Sequence, residues 1–528
     1  MKMLHSLSIL LMLLVACSKN SSEQTPSTKI STVTVSQESN YTGRGNDNEV
    51  ILKVKVIATG SNSSFDLKNI VINMDGTSDI NDVEAIKVYA TGSIDFFDIK
   101  KPSTSLIGKA NPAKGNISIS TTGKVQNGMN IFWVTYKLKE NAVEGNAVDA
   151  SVLSITTPSE TYTVTGGNPT GNRIILLART QVFGPGDFGS TNYRIPAIAT
   201  AADGSLVTLT DKRKYNSTDL PEDIDIVARR STDGGKTWSE PVMVAQGLGR
   251  NAGYGDAVII KAKSGKLIAV FVGGVGLWTS TAANPIRTYV STSNDNGITW
   301  TPSRDITNQI FGAGCADPIR KQWKASFCGS GHGLCTRSGR IMVVGAVVEP
   351  NLGNSLQNYA YYSDDEGETW KVSSRAIAGG DEAKVVELNN GDILMSSRIS
   401  GNRLWAKSSD GGVTWGQRNS WADIWGNACN GDIIRYTSTL DGHSKNRLLH
   451  TLPNDATRKN VTVFLSYDEG QTWPIKKTLC AGTSAYSSLT VLPDGTIGAY
   501  IEEDESIPYR MVFVNFSLKW LTNGADAY

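Results

Sequence analysis

Three features of the sequence predict an all-β fold. An eight-residue phrase, Ser-x-Asp-x-Gly-x-Thr-Trp, occurs five times, at Ser231–Trp238, Ser293–Trp300, Ser363–Trp370, Ser408–Trp415 and Ser466–Trp473. A strand-length apolar run precedes every copy, for example IDIVA at Ile224–Ala228 and VTVFL at Val461–Leu465. Glycine is abundant, 52 of 528 residues, and with Asn and Asp it breaks the chain into short apolar runs, the texture of strands joined by turns.

Each phrase reads as a hairpin turn. The Asp carboxylate can accept backbone N–H groups of its own turn, the Gly can take the left-handed conformation that closes it, and the Trp buries a large area against the neighbouring unit. Copies start 62, 70, 45 and 58 residues apart, about 59 on average, so the 356 residues from Arg173 to Tyr528 hold about six units. Six four-stranded units arranged radially make a six-bladed β-propeller, with five blades carrying the phrase.

Ahead of it, residues 38–168 have the texture of a separate β-sandwich, with strands at Val50–Ile57 and Ile131–Leu138 between Asn/Gly-rich turns. Thr165–Gly171 reads as a linker. Residues 18–37 are polar and Ser/Thr-rich and read as a flexible tether. The first 17 residues read as a bacterial lipoprotein signal: Lys2, the apolar run Leu7–Ala16, then Leu14-Val15-Ala16-Cys17 as a lipobox. The apolar run is too short to span a bilayer. Lipid on Cys17 would tether the chain to the cell envelope, at the outer membrane, facing the periplasm or the exterior.

A net charge of +1 points to neither nucleic acid nor an anionic surface, so an anionic ligand must be held by local groups. Beyond Cys17 stand five cysteines, Cys315, Cys328, Cys335, Cys429 and Cys480. With only His332 near them their spacing matches no zinc pattern, and they read as packing or disulfide residues. No metal or other cofactor is expected.

The phrase is the Asp box, and from Arg173 onward the chain resembles the bacterial exo-sialidases (neuraminidases) of glycoside hydrolase family 33. Asp boxes themselves speak to the fold; the motifs between them carry the resemblance further. Tyr193-Arg194-Ile195-Pro196 matches the first-blade motif. Asp211-Lys212-Arg213 and the loop through Asp219 to Arg230 lead into the first box. Glu382 to Arg398 matches the stretch supplying a Glu and a second arginine, and Arg458 precedes the last box. Gly482-Thr-Ser-Ala-Tyr486 matches the nucleophile segment, and Gly495 to Glu502 the closing motif. The departure is Leu-Pro-Glu after Asp219, where the family has a shorter Gly-containing link.

The resemblance implies removal of terminal sialic acid from glycans, glycoproteins or glycolipids, with retention. The chemistry explains the residue types. Sialic acid carries a carboxylate on the carbon whose glycosidic bond is cut, and planar guanidinium forks grip a carboxylate best; Arg194, Arg398 and Arg458 are the expected clamp, with Glu502 holding Arg194. A carboxylate nucleophile would be repelled by that group, whereas a neutral tyrosine is not, so Tyr486 is the expected nucleophile and Glu382 the acceptor of its proton. Reference pKa values make full ground-state transfer uphill by roughly 8 kcal/mol. Either the arginines lower the tyrosine pKa or the proton moves only as the oxygen attacks, and both are expected. Among Asp211, Asp219, Glu222, Asp223 and Asp225, Asp219 at the loop crest matches the family's acid, while Asp211 and Asp225 read as structural. Arg213 and Asp256 match positions contacting the glycerol, 4-hydroxyl and N-acetyl region, and Trp278 either walls the acetyl pocket or packs in the core. Two other readings share these motifs: a trans-sialidase, including an intramolecular one, and a non-catalytic sialic acid-binding propeller. The N-terminal unit reads equally as a carbohydrate-binding module or a spacer.

Overall fold

The computed structural model describes residues 28–37, 39, 41–60, 64–99, 101–504 and 509–528. The predicted signal segment with Cys17 lies outside these residues, as do residues 18–27 of the predicted tether. The regular structure of the described chain is nearly all strand, and its only α-helices are the four-residue Thr307–Ile310 and Leu518–Leu521.

The tether prediction fails at its end. Lys29–Gln37 is a strand that pairs antiparallel with Glu49–Thr59 and forms the edge of a five-stranded sheet. Its polar look hides Ile30, Val33 and Val35, which a bulge between Ile30 and Thr32 brings onto one face against the core, with Ile30 and Val35 buried. The same sheet continues through Gly128–Leu138, Val83–Gly92 and Ser105–Ala110. A second sheet, built on Asn69–Asn73 and Ser151–Thr156, lies across from it. Val54, Val56, Val88, Phe132 and Val134 of the first sheet share one core with Ile70, Ile72, Ile119, Val152 and Ile155 of the second. Strand Glu49–Thr59 alternates half-buried and buried positions, the period-two pattern of a strand with one face on a core.

The predicted boundary at Arg173 also moves. Arg173–Leu176 pairs with Thr42–Gly43 and Ala147–Val148, so it belongs with the N-terminal sheets. Its charge is the reason: Arg173, 5 % exposed, donates to the carbonyls of Val50 and Tyr41 and pairs with Glu49 at 2.6 Å. The repeat region opens instead with Arg179–Phe183, which pairs with Arg510–Phe516 near the other end of the chain.

From Asn192 the strands run as successive antiparallel meanders, the first being Asn192–Thr200, Leu206–Arg213, Ile224–Ser231 and Val242–Ala245. The innermost strands touch their neighbours in a closed ring: Asn192–Thr200, Tyr254–Lys261, Leu334–Cys335, Ala383–Glu387, Asp432–Thr437, Ile475–Val491 and back to the start. The repeat region is therefore a β-propeller.

Every box is the turn after the third strand of its meander. Ser231 Oγ donates to Asp233 at 2.8 Å, and Thr237 donates to the same carboxylate through its backbone (2.9 Å) and its hydroxyl (2.6 Å). The other four boxes repeat this wiring. The box glycine serves a second end. Gly235 has φ 90°, and a Cβ there would lie 2.1 Å from the ring of Phe513 in the adjoining sheet. Boxes thus close hairpins and lock each sheet onto its neighbour.

The five cysteines after Cys17 are all free thiols. Cys315, Cys328, Cys429 and Cys480 are buried at separate places in the cores, so the packing alternative holds over the disulfide one.

Candidate active site

The predicted site residues gather at the end of the propeller opposite the boxes. Arg194 lies near the start of the inner strand Asn192–Thr200, whose other end, Thr200, lies beside the box end of its sheet. Six residue steps separate the two, about 20 Å. The strands are deformed at that end. Pairing breaks between Arg194 and Ala197, as it must where Pro196 has no N–H to give. It breaks again between Gly255 and Val258 beside Asp256, and between Ser484 and Ser487 beside Tyr486. Ile195 and Asp256 sit at φ 66° and 55°, costly for side chains with a Cβ and above all for a β-branched one. Glu502 helps to hold the first of these by accepting the Ile195 N–H at 2.9 Å.

Tyr486 is the hub. Its hydroxyl donates to Glu382 Oε2 at 2.8 Å and accepts from Arg398 Nη1 at 3.0 Å. Arg398 also pairs with Glu382 and, at 3.3 Å, with Asp381. Two guanidinium groups approach the Tyr486 ring, Arg194 at 5.2 Å and Arg458 at 5.3 Å from its centroid. Glu502, fully buried, takes Arg194 bidentately at 3.0 and 2.9 Å, and accepts the Tyr486 N–H at 3.2 Å. Three arginines from three sheets therefore converge on one tyrosine. Arg194 uses Nε and Nη2 on Glu502, and Arg398 uses Nε and Nη1 on its acidic neighbours. Arg458 also makes a side-chain hydrogen bond to Tyr509, so Arg194 Nη1, Arg398 Nη2 and the remaining N–H groups of Arg458 are left to meet an anion among the described residues.

Burial pushes the Tyr486 hydroxyl well above the ordinary tyrosine range, the Glu382 charge adds to that, and Arg398 and Arg194 pull the other way without prevailing. The arginines thus lower this pKa in the expected direction, but burial outweighs them and the net shift is upward. A ring with 6 % exposure and a carboxylate at 2.8 Å loses more by desolvation than the guanidinium groups return.

Arg213, 1 % exposed, holds Asp219 at 2.6 Å and Asp211 at 3.4 Å. Partial burial raises the Asp219 carboxyl, but Arg213 and then Arg194 outweigh this and keep it below the usual carboxylate range. Its side chain is 73 % exposed on the loop crest. Behind it, burial pushes Asp211 and Asp256 up, each raised further by neighbouring carboxylates. Asp225 accepts the Gly247 N–H and pairs with Lys214, the structural part expected of it. Trp278 lies in the single turn Leu277–Thr279 and is 60 % exposed, so core packing is excluded for it.

Three contributors escaped the sequence reading. Tyr509 lays its ring 5.2 Å from the Arg194 guanidinium. Asp381 pairs with Arg398, and Cys429 packs with Ile195, Ala485 and Tyr486. The acidic pair Asp381-Glu382 was a readable signal; Tyr509 and Cys429 sit in no repeated pattern.

Comparison with known proteins agrees with this architecture. Residues 216–499 match the family model for the BNR repeat-like domain, and residues 31–161 match that for the N-terminal domain of BNR-repeat neuraminidase. A sialidase of Micromonospora viridifaciens is 34 % identical over 354 residues, 63 % of this chain and 52 % of that protein, so the chain spans about half of that relative's length. A sialidase of Bacteroides fragilis is 28 % identical over 422 residues, 74 % of each chain. Among solved structures, a Hadza microbial sialidase superposes with a TM-score of 0.65 at 22 % identity, covering 92 % of this chain and 99 % of that one, which shows the shared fold. With the N-terminal and repeat models both matched in order, the chain belongs to the BNR-repeat neuraminidase family.

Proposed function

We propose that this chain is a retaining exo-α-sialidase acting on terminal sialic acid of glycans, glycoproteins or glycolipids. The observation that carries the reading is the contact of Tyr486 with Glu382 inside a ring of three arginines drawn from three sheets. Arg194, Arg398 and Arg458 bind the sugar carboxylate. The Tyr486 oxygen attacks C2 while its proton passes to Glu382, and the C2–O bond breaks as Asp219 protonates the leaving oxygen. A tyrosyl–sugar bond results. Asp219, now a carboxylate, takes a proton from water, whose oxygen attacks C2; the Tyr486 oxygen leaves and recovers its proton from Glu382. Two inversions give net retention.

The pKa directions constrain the first step. A tyrosine held above its usual range does not ionise beforehand, so proton transfer accompanies attack. Asp219 is kept ionised by Arg213 and Arg194, and it becomes a competent acid as the substrate carboxylate neutralises the arginines and the sugar excludes water.

We read the propeller as six-bladed. The seven-stranded sheet is two blades joined along the 17-residue strand Ile475–Val491, which is the last strand of one and the first of the next. The two larger N-terminal sheets are read as a sandwich, and Arg213, Asp256 and Trp278 as contacts to the rest of the sugar. Lipid on Cys17 would carry the protein in the cell envelope; palmitate labelling of wild type but not of Cys17→Ser checks this.

A fluorogenic sialoside, with the released sugar followed by NMR, tests the function. Free sialic acid is expected; no release defeats the enzyme reading, and a 2,7-anhydro product moves it to intramolecular transfer.

A further inference from the structure

Tyr486 sits at the end of the most irregular stretch of its strand. Pairing of Ile475–Val491 with Lys459–Ser466 slips between Cys480 and Thr483, and pairing with Ile497–Glu503 breaks between Ser484 and Ser487. Ser484 Oγ lies 3.2 Å from the Cys480 carbonyl and 3.1 Å from that of Gly482, curling the chain on itself. A doubly bulged segment of this kind lacks the ladder that fixes an ordinary strand, so its shape must be set by what packs on it.

The N-terminal sheets supply that packing. Gly482 has φ 78°, and a Cβ there would lie 2.7 Å from Cε2 of Tyr41, so the Tyr41 ring rests directly on the glycine. Tyr41 is itself secured: its carbonyl accepts from Arg173 at 2.8 Å, and Arg173 is pinned by Glu49 at 2.6 Å and by the Val50 carbonyl at 2.7 Å. The base of the bulge is clamped separately. Arg179 donates to the Leu479 carbonyl at 2.8 Å and to Glu503 at 2.5 Å, and the Cys480 thiol meets Glu503 at 2.9 Å. Glu503 follows Glu502, the residue that takes Arg194 and the Tyr486 N–H.

We propose that Tyr41, backed by Arg173 and Glu49, is a positioning residue: it braces the Cys480–Tyr486 bulge from the N-terminal domain and thereby sets the Tyr486 hydroxyl against Glu382. The N-terminal domain is then part of the working site rather than a detachable module. Of the clamp only Arg458 touches the bulge, through its carbonyl, which accepts the Ser484 N–H at 3.0 Å, and no clamp guanidinium contacts Tyr41 among the described residues, so loss of the brace acts chiefly on the chemical step. Misplacement of a reacting oxygen by about 1 Å costs on the order of 100-fold in rate.

The proposal rests on the sialidase reading, and full-length Tyr41→Ala and Tyr41→Phe test it. Tyr41→Ala is expected to lower kcat about 10- to 100-fold with KM within about twofold of wild type, and Tyr41→Phe, which keeps the ring, to restore kcat. Amide hydrogen exchange across Cys480–Tyr486 is expected to speed up in Tyr41→Ala alone. A Tyr41→Ala protein with wild-type kcat, or one that changes KM at constant kcat, overturns the proposal. Should Tyr41→Ala not fold, Tyr41→Leu keeps an apolar contact without the flat ring and reads the same split. A wild type that releases no sialic acid defeats the sialidase reading instead; exchange then decides the brace, and an unchanged rate in residues 480–486 overturns it.

Discussion

The hydroxyl of Tyr486 donates to Glu382 across 2.8 Å, although the two residues are 104 positions apart and lie on different sheets. Arg398 closes the triangle by bonding both. Burial stabilises the neutral tyrosine; in the proposed mechanism the adjacent carboxylate takes its proton and the arginine meets the charge that develops as the oxygen attacks.

Removing either member of the pair is expected to stop turnover without emptying the clamp. Tyr486→Phe and Glu382→Gln should each lower kcat by about 100- to 10,000-fold, the range for a general base or its nucleophile, with KM changed only a few-fold. Steady-state kinetics on a fluorogenic sialoside measures both, and a Tyr486→Phe protein of unchanged kcat would remove the tyrosine from the mechanism.

The clamp should behave oppositely. Among the described residues Arg458 meets the Tyr486 ring and hydrogen-bonds Tyr509 rather than an acidic partner, so Arg458→Met is expected to fold normally. A hydrogen bond to a charged group contributes about 1.5–3 kcal/mol, so KM should rise roughly 10- to 150-fold. Titration of sialic acid binding by calorimetry checks the loss directly.

The pH profile should report the Arg213–Asp219 contact of 2.6 Å. Arg213 and Arg194 keep the Asp219 pKa low, and the acid form is the active one, so kcat/KM of wild type falls as pH rises through that pKa. Taking away a positive charge raises a carboxyl pKa. The alkaline limb of Arg213→Gln should therefore move to higher pH, while Arg213→Lys keeps it near the wild-type position. A limb that stays in place in Arg213→Gln assigns the acid elsewhere.

The boxes should govern stability and leave catalysis alone. The side-chain and backbone hydrogen bonds of Thr414 hold Asp410 down to about 2, below the unfolded-state value near 3.9. A depressed folded-state pKa gives stability that is complete above the unfolded value and is lost as pH falls from about 4 toward 2. Thermal melts should show Tm dropping across that window. Asp410→Ala should lower stability by about 1–2 kcal/mol at neutral pH and flatten the acid drop, with kcat/KM unchanged because the box end lies about 20 Å from Tyr486.

Much of the fold was legible because its signals are local. A box satisfies its Asp, Gly and Thr within its own turn, so the pattern is visible wherever the turn occurs. The tether reading failed because Lys29–Gln37 is polar on one face only, and which face meets a core depends on the strand beside it. The boundary at Arg173 failed for a similar reason: an arginine in sequence looks like surface, and only Glu49 and two distant carbonyls make it interior.

The sequence by itself determined the hairpins, their approximate spacing and the identities of the residues able to clamp an acid and attack beside it, since these depend on neighbours a few positions away or on side-chain chemistry alone. Tertiary structure decided which of them meet, that Tyr486 is driven up rather than down in pKa, that Trp278 stands exposed, and that Tyr41 rests on Gly482. Desolvation, guanidinium convergence and ring packing arise only when strands far apart in the chain are brought to one end of a closed ring, and no local pattern encodes that closure.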